Sequence, residues 1–322
     1  MTTYLITGGA GFIGSNFVRH LLAVEPEARV INLDLLTYAG VKATVDELDS
    51  LPGHDFVLGD IRDRNLVDSL MSGADVVVHF AAESHVDRSI SGPHVFLETN
   101  VVGTGTLLDS ARTHGVRRFV HVSTDEVYGS VQSGFAAEDA PLVPSSPYSA
   151  SKAGSDLVVR SYWVTFGFDV IVTRCTNNYG PYQFPEKVIP LFVTNLIDRK
   201  RVPLYGEGAN ERDWLHVKDH CRAIHMLIHE GSPGEIYNIG ANAQLSNLEL
   251  TRQILAAMDL DDSWIEHVQD RQGHDLRYAV DSSKLKGLGW APEHTFDEWL
   301  SDTVSWYRAR EDWWRPLKQN PQ

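Results

Sequence analysis

The chain has 322 residues, enough for one large α/β domain or for two closely packed lobes. Its hydrophobic content of 43% and charged content of 22% are those of an ordinary globular protein. The formal net charge of −15 argues against a nucleic-acid-binding surface, because such surfaces are normally basic.

Two further features restrict where the protein acts. No apolar run approaches the length of a membrane span, and the first residues enter a strand pattern without the charged and apolar regions of a signal peptide. We therefore expect a cytoplasmic protein without a membrane partner.

Cys175 and Cys221 lie far apart with no second ligand nearby, so we interpret them as core thiols and predict no metal site.

The first 174 residues alternate short apolar segments with amphipathic ones. The apolar segments predict six strands, at residues 4–6, 30–33, 55–58, 75–80, 119–123 and 169–174. The periodic segments between them predict helices, notably at residues 12–23, 63–71, 93–113 and 149–165. Near-continuous apolar strands that alternate with helices indicate a parallel sheet covered on both faces, and hence a doubly wound α/β fold of the Rossmann type.

A glycine-rich turn follows the first predicted strand and opens the first predicted helix. Gly8 permits a tight turn, Gly11 lets the backbone approach a pyrophosphate, and Gly14 allows the helix to pack closely on the strand. Asp34 ends the second strand, where a carboxylate accepts hydrogen bonds from ribose hydroxyls and repels a 2′-phosphate. The pattern therefore predicts a dinucleotide site that prefers NAD to NADP.

A tyrosine and a lysine lie four residues apart at the start of the helix predicted near residues 149–165. Tyr148 and Lys152 share one helix face, and an ammonium group near a phenol favours the phenolate, which acts as a base. Thr124 lies at the carboxyl end of the fifth strand, where ligands bind in open α/β sheets. The alternative is a surface pair that shares a face by chance. The nearby dinucleotide motif favours a catalytic group of all three residues.

Two acidic residues, Asp125 and Glu126, follow Thr124 directly. Two carboxyl groups in one apolar cleft rarely share a pKa, so that one serves as an acid and the other as a base. A tyrosine base alone suits alcohol oxidation, whereas a base with two further carboxyl groups suits oxidation followed by elimination. The alternative is an acidic loop that caps the following turn, residues 127–129, and spacing alone leaves both interpretations open.

The alternation of strands and helices weakens after residue 174. Helical patterns at residues 188–199, 217–229 and 247–258 are separated by short, turn-rich segments. We predict a Rossmann domain at residues 1–174 and a smaller C-terminal α/β lobe at residues 175–322. The boundary is soft, because the chain can cross back between the two.

Taken together, these residues resemble the extended short-chain dehydrogenase/reductase family, and within it the branch of dTDP-glucose 4,6-dehydratases. The resemblance covers nearly the whole chain. Its motifs lie at residues 7–14, 36–40, 81–89, 123–129, 146–152, 176–187, 212–214 and 270–274. The triplet Thr124-Asp125-Glu126 is the most specific, since related epimerases usually carry serine or small residues there.

The resemblance implies tightly bound NAD that is regenerated in each turnover. The implied cofactor-binding residues are Gly8, Gly11, Phe12, Ile13, Gly14, Asp34, Thr37, Asp60, Ile61, Ala81, Thr99, Tyr148, Lys152 and Asn178. Asp60 and Ile61 follow the third strand, within reach of the adenine. Position alone leaves Asp60 as either an adenine contact or a helix cap.

The resemblance also implies a reaction. Tyr148 would take the proton of the glucose 4-hydroxyl as hydride leaves C4 for NAD⁺. Glu126 would remove the C5 proton, protonated Asp125 would release the 6-hydroxyl as water, and hydride would return to C6. The product would be dTDP-4-keto-6-deoxyglucose.

The C-terminal lobe is then expected to bind the sugar nucleotide. Arg212 and Arg271 are the candidates for its diphosphate, because a guanidinium binds phosphate through two hydrogen bonds. Tyr205 is expected near the thymine. The implied substrate-binding residues are Ser84, Thr124, Asn177, Lys187, Val188, Leu204, Tyr205, Arg212, Asn247, Arg271, His274 and Tyr278. Family members are usually homodimers joined by a helix bundle, for which residues 95–111 and 150–166 are apolar enough.

Other functions fit the same scaffold. Another NAD-dependent sugar-nucleotide dehydratase, a 4-epimerase and a decarboxylase are the nearest, although an epimerase does not need Asp125 and Glu126, and a decarboxylase needs an additional cation. A catalytically idle NAD-binding scaffold is the alternative of another class. Such proteins keep the glycines but tend to lose the pair Tyr148 and Lys152.

Overall fold

The computed structural model describes residues 1–269 and 275–319. Its strands are β1 Thr3–Thr7, β2 Arg29–Asp34, β3 His54–Leu58, β4 Val76–His79, β5 Arg118–Thr124, β6 Val170–Cys175, β7 Asn177–Tyr179, β8 Val202–Tyr205, β9 Glu211–His216, β10 Ile236–Ile239, β11 Gln244–Ser246 and β12 Ile265–Val268. The six strands predicted in the first half are all present, within one or two residues of their expected ends.

The seven predicted helical segments are all present, within two residues of their expected ends, and the described residues form five further helices that were not predicted. The helices are α1 Phe12–Val24, α2 Lys42–Leu48, α3 Arg64–Met71, α4 Val86–Ser91, α5 Pro93–Phe96, α6 Thr104–Thr113, α7 Pro147–Phe166, α8 Val188–Ile197, α9 Val217–Glu230, α10 Asn247–Ala256, α11 Ser283–Lys286, α12 Phe296–Ala309 and α13 Glu311–Gln319. A π-helical segment, Leu97–Gly103, joins α5 to α6, and short 3₁₀ turns lie at Asp125–Tyr128 and Asp262–Trp264. None of the helices in the described ranges is both long and apolar enough to cross a membrane.

A seven-stranded parallel sheet lies at the centre, with the strand order β10-β6-β5-β4-β1-β2-β3. The predicted doubly wound fold is therefore confirmed. The chain runs outward in one direction through β2 and β3 and in the other through β4, β5 and β6. The carboxyl ends of β1 and β4 thus flank the point where the strand order reverses, and this is where open α/β sheets bind ligands.

Helices cover both faces of this sheet. On one face, Phe17 and Leu21 of α1 pack with Ile224 and Leu227 of α9. On the other face, α3, α6 and α7 contribute a second apolar layer, in which the buried residues include Val67, Met71, Leu107, Leu108 and Val159. Both layers are continuous with the apolar strand residues, as the sequence pattern requires.

The second half of the chain builds a smaller lobe around aromatic residues. Trp299, Tyr307, Trp313 and Trp314, from α12 and α13, are buried together with apolar residues of α8 and α10. A three-stranded sheet, β11-β9-β7, and a two-stranded sheet, β12-β8, complete this lobe. One strand of the second half, β10, instead pairs with β6 and extends the central sheet.

Candidate active site

A cavity of about 340 Å³ opens at the carboxyl ends of the central strands. All of the residues predicted for the cofactor and for catalysis line it, together with several predicted for the substrate. They are Gly8, Gly11, Phe12, Ile13, Gly14, Asp34, Thr37, Asp60, Ile61, Ala81, Ser84, Thr99, Thr124, Asp125, Glu126, Tyr148, Lys152, Asn177, Asn178 and Lys187. The sequence motifs, which are far apart in the chain, thus meet in one place.

The glycine turn has the geometry of a phosphate cradle. Gly8 has a φ of +76°, and a Cβ there would lie 2.5 Å from the backbone nitrogen of Ala81. A Cβ on Gly14 would overlap the carbonyl oxygen of Gly8. Gly11 precedes α1 in an extended conformation without a side-chain cap. The first N–H groups of α1 therefore border the cavity, and this arrangement suits an anion.

Two aspartates stand at the ends of β2 and β3. Asp34 accepts hydrogen bonds from the backbone N–H groups of Ala10, at 2.9 Å, and Leu36, at 2.8 Å, and burial raises the pKa of its carboxyl group. Asp60 accepts from the N–H of Arg62 at 2.8 Å and pairs with the guanidinium of the same residue. Asp60 therefore closes a turn with Arg62 and borders the cavity, whereas the residue that caps α3 is Asp63, and the contact of Asp60 with the adenine stays a prediction.

One hydroxyl group joins the predicted catalytic residues. The Thr124 hydroxyl donates to Oδ1 of Asp125 at 3.2 Å, accepts from the N–H of Glu126 at 3.2 Å and hydrogen-bonds Tyr148. It is Thr124, rather than the two acids, that caps the turn Asp125–Tyr128. The carboxyl groups are therefore not consumed by capping, and this removes the structural alternative to a chemical role.

The two acids lie in unequal surroundings. Asp125 is buried, and burial together with the neighbouring charge of Glu126 raises the pKa of its carboxyl group well above the usual range. Its Oδ2 atom has no hydrogen-bond partner among the residues that the structure describes. These surroundings favour the protonated form of Asp125, which is the form able to donate a proton.

The pair Tyr148 and Lys152 differs in one respect from the expectation. The Lys152 ammonium donates to the carbonyl of Val122, at 2.9 Å, at the end of β5. Burial raises the pKa of Tyr148 well above its usual value, and the charge of Glu126 adds to the rise, so the phenol is protonated here. Burial lowers the pKa of Lys152 to about 8, although Asp156 and Cys175 act in the opposite direction. The predicted depression of the tyrosine pKa is not found in this structure, because burial is the largest influence on it.

A buried ion pair behind the lysine was missed in the sequence. Nε of Arg174 donates to Oδ2 of Asp156 at 2.9 Å, and its Nη1 donates to the hydroxyl of Tyr128 at 2.8 Å. Asp156 follows Lys152 by one helical turn in α7 and raises its pKa. The sequence signal for this ion pair was Asp156, a second polar residue four positions after Lys152 on a helix that packs on the sheet.

A second missed residue supports the same helix. Asn100 lies in the π-helical segment, and its amide group donates to the hydroxyl of Ser151 in α7 at 2.8 Å. The amide also bonds both backbone groups of Glu83, at 2.8 and 3.0 Å. Asn100 therefore ties the loop after β4 to the helix that carries Tyr148. A polar residue in an apolar helical pattern was the available signal.

Two residues of the second lobe approach the acidic pair. The guanidinium of Arg212 lies 4.3 Å from the ring centre of Tyr278 and donates to the carbonyl of Asp275 at 2.9 Å. The charge of Arg212 opposes the rise in the pKa of Asp125, and Glu126, after burial, is the largest cause of the raised pKa of Tyr278. Both side chains are therefore within electrostatic reach of the acidic pair, although neither lines the cavity.

The other predicted substrate residues are arranged differently. Val188 begins α8, Leu204 is buried in β8, Tyr205 ends β8 with its side chain partly exposed, and Asn247 begins α10. These four residues do not line the cavity described above. The two remaining predicted residues, Arg271 and His274, lie outside the described residues.

Known proteins resemble this chain along nearly its whole length. A family model described as GDP-mannose 4,6 dehydratase matches residues 5–303. A dTDP-glucose 4,6-dehydratase of Streptomyces antibioticus is 55% identical, over 98% of this chain and 96% of that protein. The solved structure of DesIV, a dTDP-glucose 4,6-dehydratase of Streptomyces venezuelae with NAD and TYD bound, is 56% identical with a TM-score of 0.95, over 98% of this chain and all of that one.

Epimerases share the fold at lower identity. The UDP-glucose 4-epimerase of Thermotoga maritima, solved with UDP-glucose, is 28% identical with a TM-score of 0.90, over 96% of this chain and 100% of that chain. The family model and the relative at 55% identity both cover far more than half of the chain. The chain therefore belongs to the GDP-mannose 4,6 dehydratase family, within the extended short-chain dehydrogenases/reductases.

Proposed function

We propose that the protein is an NAD-dependent dTDP-glucose 4,6-dehydratase, a lyase that forms dTDP-4-keto-6-deoxyglucose. The observation that carries this conclusion is the shared hydroxyl of Thr124, which places Tyr148 and the pair Asp125 and Glu126 around one point in the cavity. An epimerase has no use for that pair. Relatives with this activity in their names are 55% and 56% identical over 98% of the chain.

The residues of the cavity fit NAD. The first turn of α1 has no side-chain cap and leaves room for a pyrophosphate. Gly8 and Gly14 lie so close to neighbouring backbone atoms that neither position has room for a Cβ. Asp34 stands at the end of β2 for a ribose, and Lys152 and Tyr148 stand at the opposite end of the cavity wall for the nicotinamide half. The bound cofactor would supply, as NAD⁺, the hydride acceptor for oxidation at C4 and a positive charge in the site, and, as the NADH so formed, the hydride donor for return to C6.

Oxidation at C4 depends on Tyr148. In its phenolate form this residue takes the proton of the sugar 4-hydroxyl. Because burial opposes that form, nearby positive charge and the Thr124 hydrogen bond have to stabilise it. Lys152 provides such a charge, since with a pKa of about 8 it is mostly protonated at neutral pH.

Elimination across C5 and C6 depends on the two acids. The C4 ketone acidifies the neighbouring C–H bond, and Glu126 takes the proton from C5. Asp125, protonated, transfers its proton to the 6-hydroxyl, which leaves as water with both electrons of the C6–O bond. The raised pKa of Asp125 supports this division of roles.

The second lobe completes the substrate site in this proposal. Ser84, Asn177 and Lys187 contact the sugar and its nearest phosphate from the cavity wall. Arg212 holds the diphosphate, and Tyr205 the base. The division into a cofactor domain, residues 1–174, and a substrate lobe, residues 175–322, stays a prediction.

A cytoplasmic homodimer is part of the same proposal. Apolar side chains are exposed along residues 95–102 and along α7, among them Leu97, Val102, Leu157, Val164 and Phe166. Two copies of these helices form a four-helix bundle when the exposed faces meet. We expect Val164→Glu to give monomers in sedimentation velocity, whereas Leu58→Glu, at an equally exposed apolar residue away from these helices, leaves the dimer intact. A wild type that sediments as a monomer contradicts the dimer.

The activity is tested with the purified, NAD-containing protein and dTDP-glucose. The 4-keto-6-deoxy product is measured by its absorbance in alkali, for the wild type and for Asp125→Asn and Glu126→Gln. Both changes keep the size of the side chain and remove one proton transfer, and each is expected to slow turnover about 10²–10⁴-fold. Exchange of the C5 proton with deuterated water separates the two residues, since only Glu126→Gln removes its base. Formation of a 4-epimer without loss of water contradicts the proposal.

A further inference from the structure

Three side chains of the types that bind metal ions lie together at the C-terminal end of α1, away from the cavity. Nε2 of His225 and Nε2 of His229 lie 2.9 and 3.0 Å from the same oxygen, Oε1 of Glu25. All three ligand atoms lie within 4.8 Å of one another. None of these residues lines the catalytic cavity, so the proposed reaction leaves the cluster without a role.

The cluster has the spacing of a metal site. His225 and His229 are four residues apart in α9, so they project from the same helix face on consecutive turns. Glu25 comes from a different element, at the residue that ends α1. Around tetrahedral Zn²⁺ neighbouring ligand atoms are about 3.3 Å apart, so each Nε2 needs to move only a few tenths of an ångström away from Oε1, and the two nitrogens already lie within 4.8 Å of each other.

The surroundings orient the ligands in advance. The hydroxyl of Tyr4, a buried residue of β1, donates to both carboxylate oxygens of Glu25, at 2.9 and 2.8 Å. The ring of His20 packs edge-on against the ring of His225, with 5.4 Å between their centres. Such supporting contacts around the ligands are typical of metal sites. His229 is about half exposed, which leaves an entry path and a fourth position for water.

We propose that Glu25, His225 and His229 bind one divalent transition-metal ion, with Zn²⁺ the best fit. Two imidazoles and one carboxylate are borderline ligands, which suit Zn²⁺ and its neighbours rather than Ca²⁺ or Mg²⁺. On binding, each neutral imidazole carries its proton on Nδ1 and turns the lone pair of Nε2 to the ion. The ion then joins the end of α1 to α9, two helices on one face of the sheet.

The consequence for the protein is structural. The metal bridges residues that are 200 positions apart or more in the chain, and the unfolded chain does not present them together. Binding to the folded state alone therefore raises the temperature of unfolding in proportion to the logarithm of the metal concentration. The start of α1 borders the cofactor cavity. The ion fixes the opposite end of the same helix.

The test uses the NAD-containing protein after treatment with a chelator that is then removed. Co²⁺ is titrated first, because four-coordinate cobalt has a strong visible absorption, and Zn²⁺ is then added to displace it. We expect one Co²⁺ per chain, loss of the absorption with one equivalent of Zn²⁺, and a higher unfolding temperature with either metal. His229→Gln and Glu25→Gln should each abolish the absorption and the shift.

A matched control separates the cluster from ordinary surface histidines. His114 pairs with the carboxylate of Asp68 at 3.6 Å, and among the residues that the structure describes it belongs to no group of three metal-ligating side chains. His114→Gln should bind Co²⁺ as the wild type does. The proposal is overturned if the wild type gives no four-coordinate cobalt spectrum. It is equally overturned if folded His229→Gln, with a wild-type melting temperature in chelator, binds the metal unchanged.

Discussion

Replacement of Arg174 by methionine tests the buried ion pair behind the active site. The side chains of Arg174 and Asp156 are only 4% and 2% exposed. The guanidinium makes hydrogen bonds to Asp156 at 2.9 Å, to Tyr128 at 2.8 Å and to the carbonyl of Glu138 at 3.2 Å. Methionine fills a similar length without charge, so the change leaves the buried Asp156 carboxylate without its guanidinium partner. Of the residues that the structure describes, only His121, with Nε2 3.5 Å from Oδ1, still faces that carboxylate as an ion-pair partner, and it is a cation only when protonated.

The size of the effect follows from this burial. Removing one partner of a buried ion pair costs about 3–5 kcal/mol, because the other charge stays in a medium of low polarity. For a chain of 322 residues the entropy of unfolding is about 0.7 kcal/mol per kelvin near 60 °C. The expected fall in the melting temperature is therefore about 4–7 °C.

The assay is thermal unfolding followed by circular dichroism, with NAD at a fixed concentration. Arg64→Met is the control, since Arg64 also forms ion pairs, with Asp68 and Asp109, but on the surface. Arg64→Met should have the same melting temperature as the wild type. Adding Asp156→Asn to Arg174→Met removes the stranded charge and should restore part of the loss. A melting temperature for Arg174→Met equal to that of the wild type refutes the reasoning.

Three further outcomes follow from the site. Asp156→Asn removes a charge that supports protonated Lys152, whose pKa is about 8, so the alkaline fall in kcat/KM should move to lower pH; an unmoved profile excludes that coupling. Gly14→Ala forces a Cβ onto the Gly8 carbonyl, so the purified protein should lose its NAD, as native mass spectrometry will show. Tyr148→Phe should lower kcat about 10²–10⁴-fold with the NAD content unchanged, and activity near that of the wild type rules out this residue as the base.

The central sheet was predictable because its signals are local. Each strand is a short run of apolar residues, and the turn from Gly8 to Gly14 both closes β1 and opens α1. The predicted helix at residues 93–113 is also present as a continuous helical run. Its π-helical middle was not predictable, because one extra residue in a turn leaves the apolar spacing almost unchanged.

The site was predictable in its members but not in its electrostatics. Spacing placed Tyr148 and Lys152 on one helix face, and strand ends placed Thr124 beside them. Whether the ammonium or the burial controls the pKa of the tyrosine depends on where Nζ finds its hydrogen bond. That partner, the carbonyl of Val122, is thirty residues away in the chain and comes from tertiary packing.

The strand β10 has a consequence for how this chain can be divided. Its residues, Ile236–Ile239, pair with β6 at the border of the central sheet, although they follow three strands of the smaller lobe. A fragment cut after residue 174 would carry β6 as a bare edge, with its row of backbone N–H and C=O groups open to any passing strand. Such an exposed edge strand favours self-association. Residues 1–174 therefore cannot serve as an isolated cofactor domain unless another segment covers that edge.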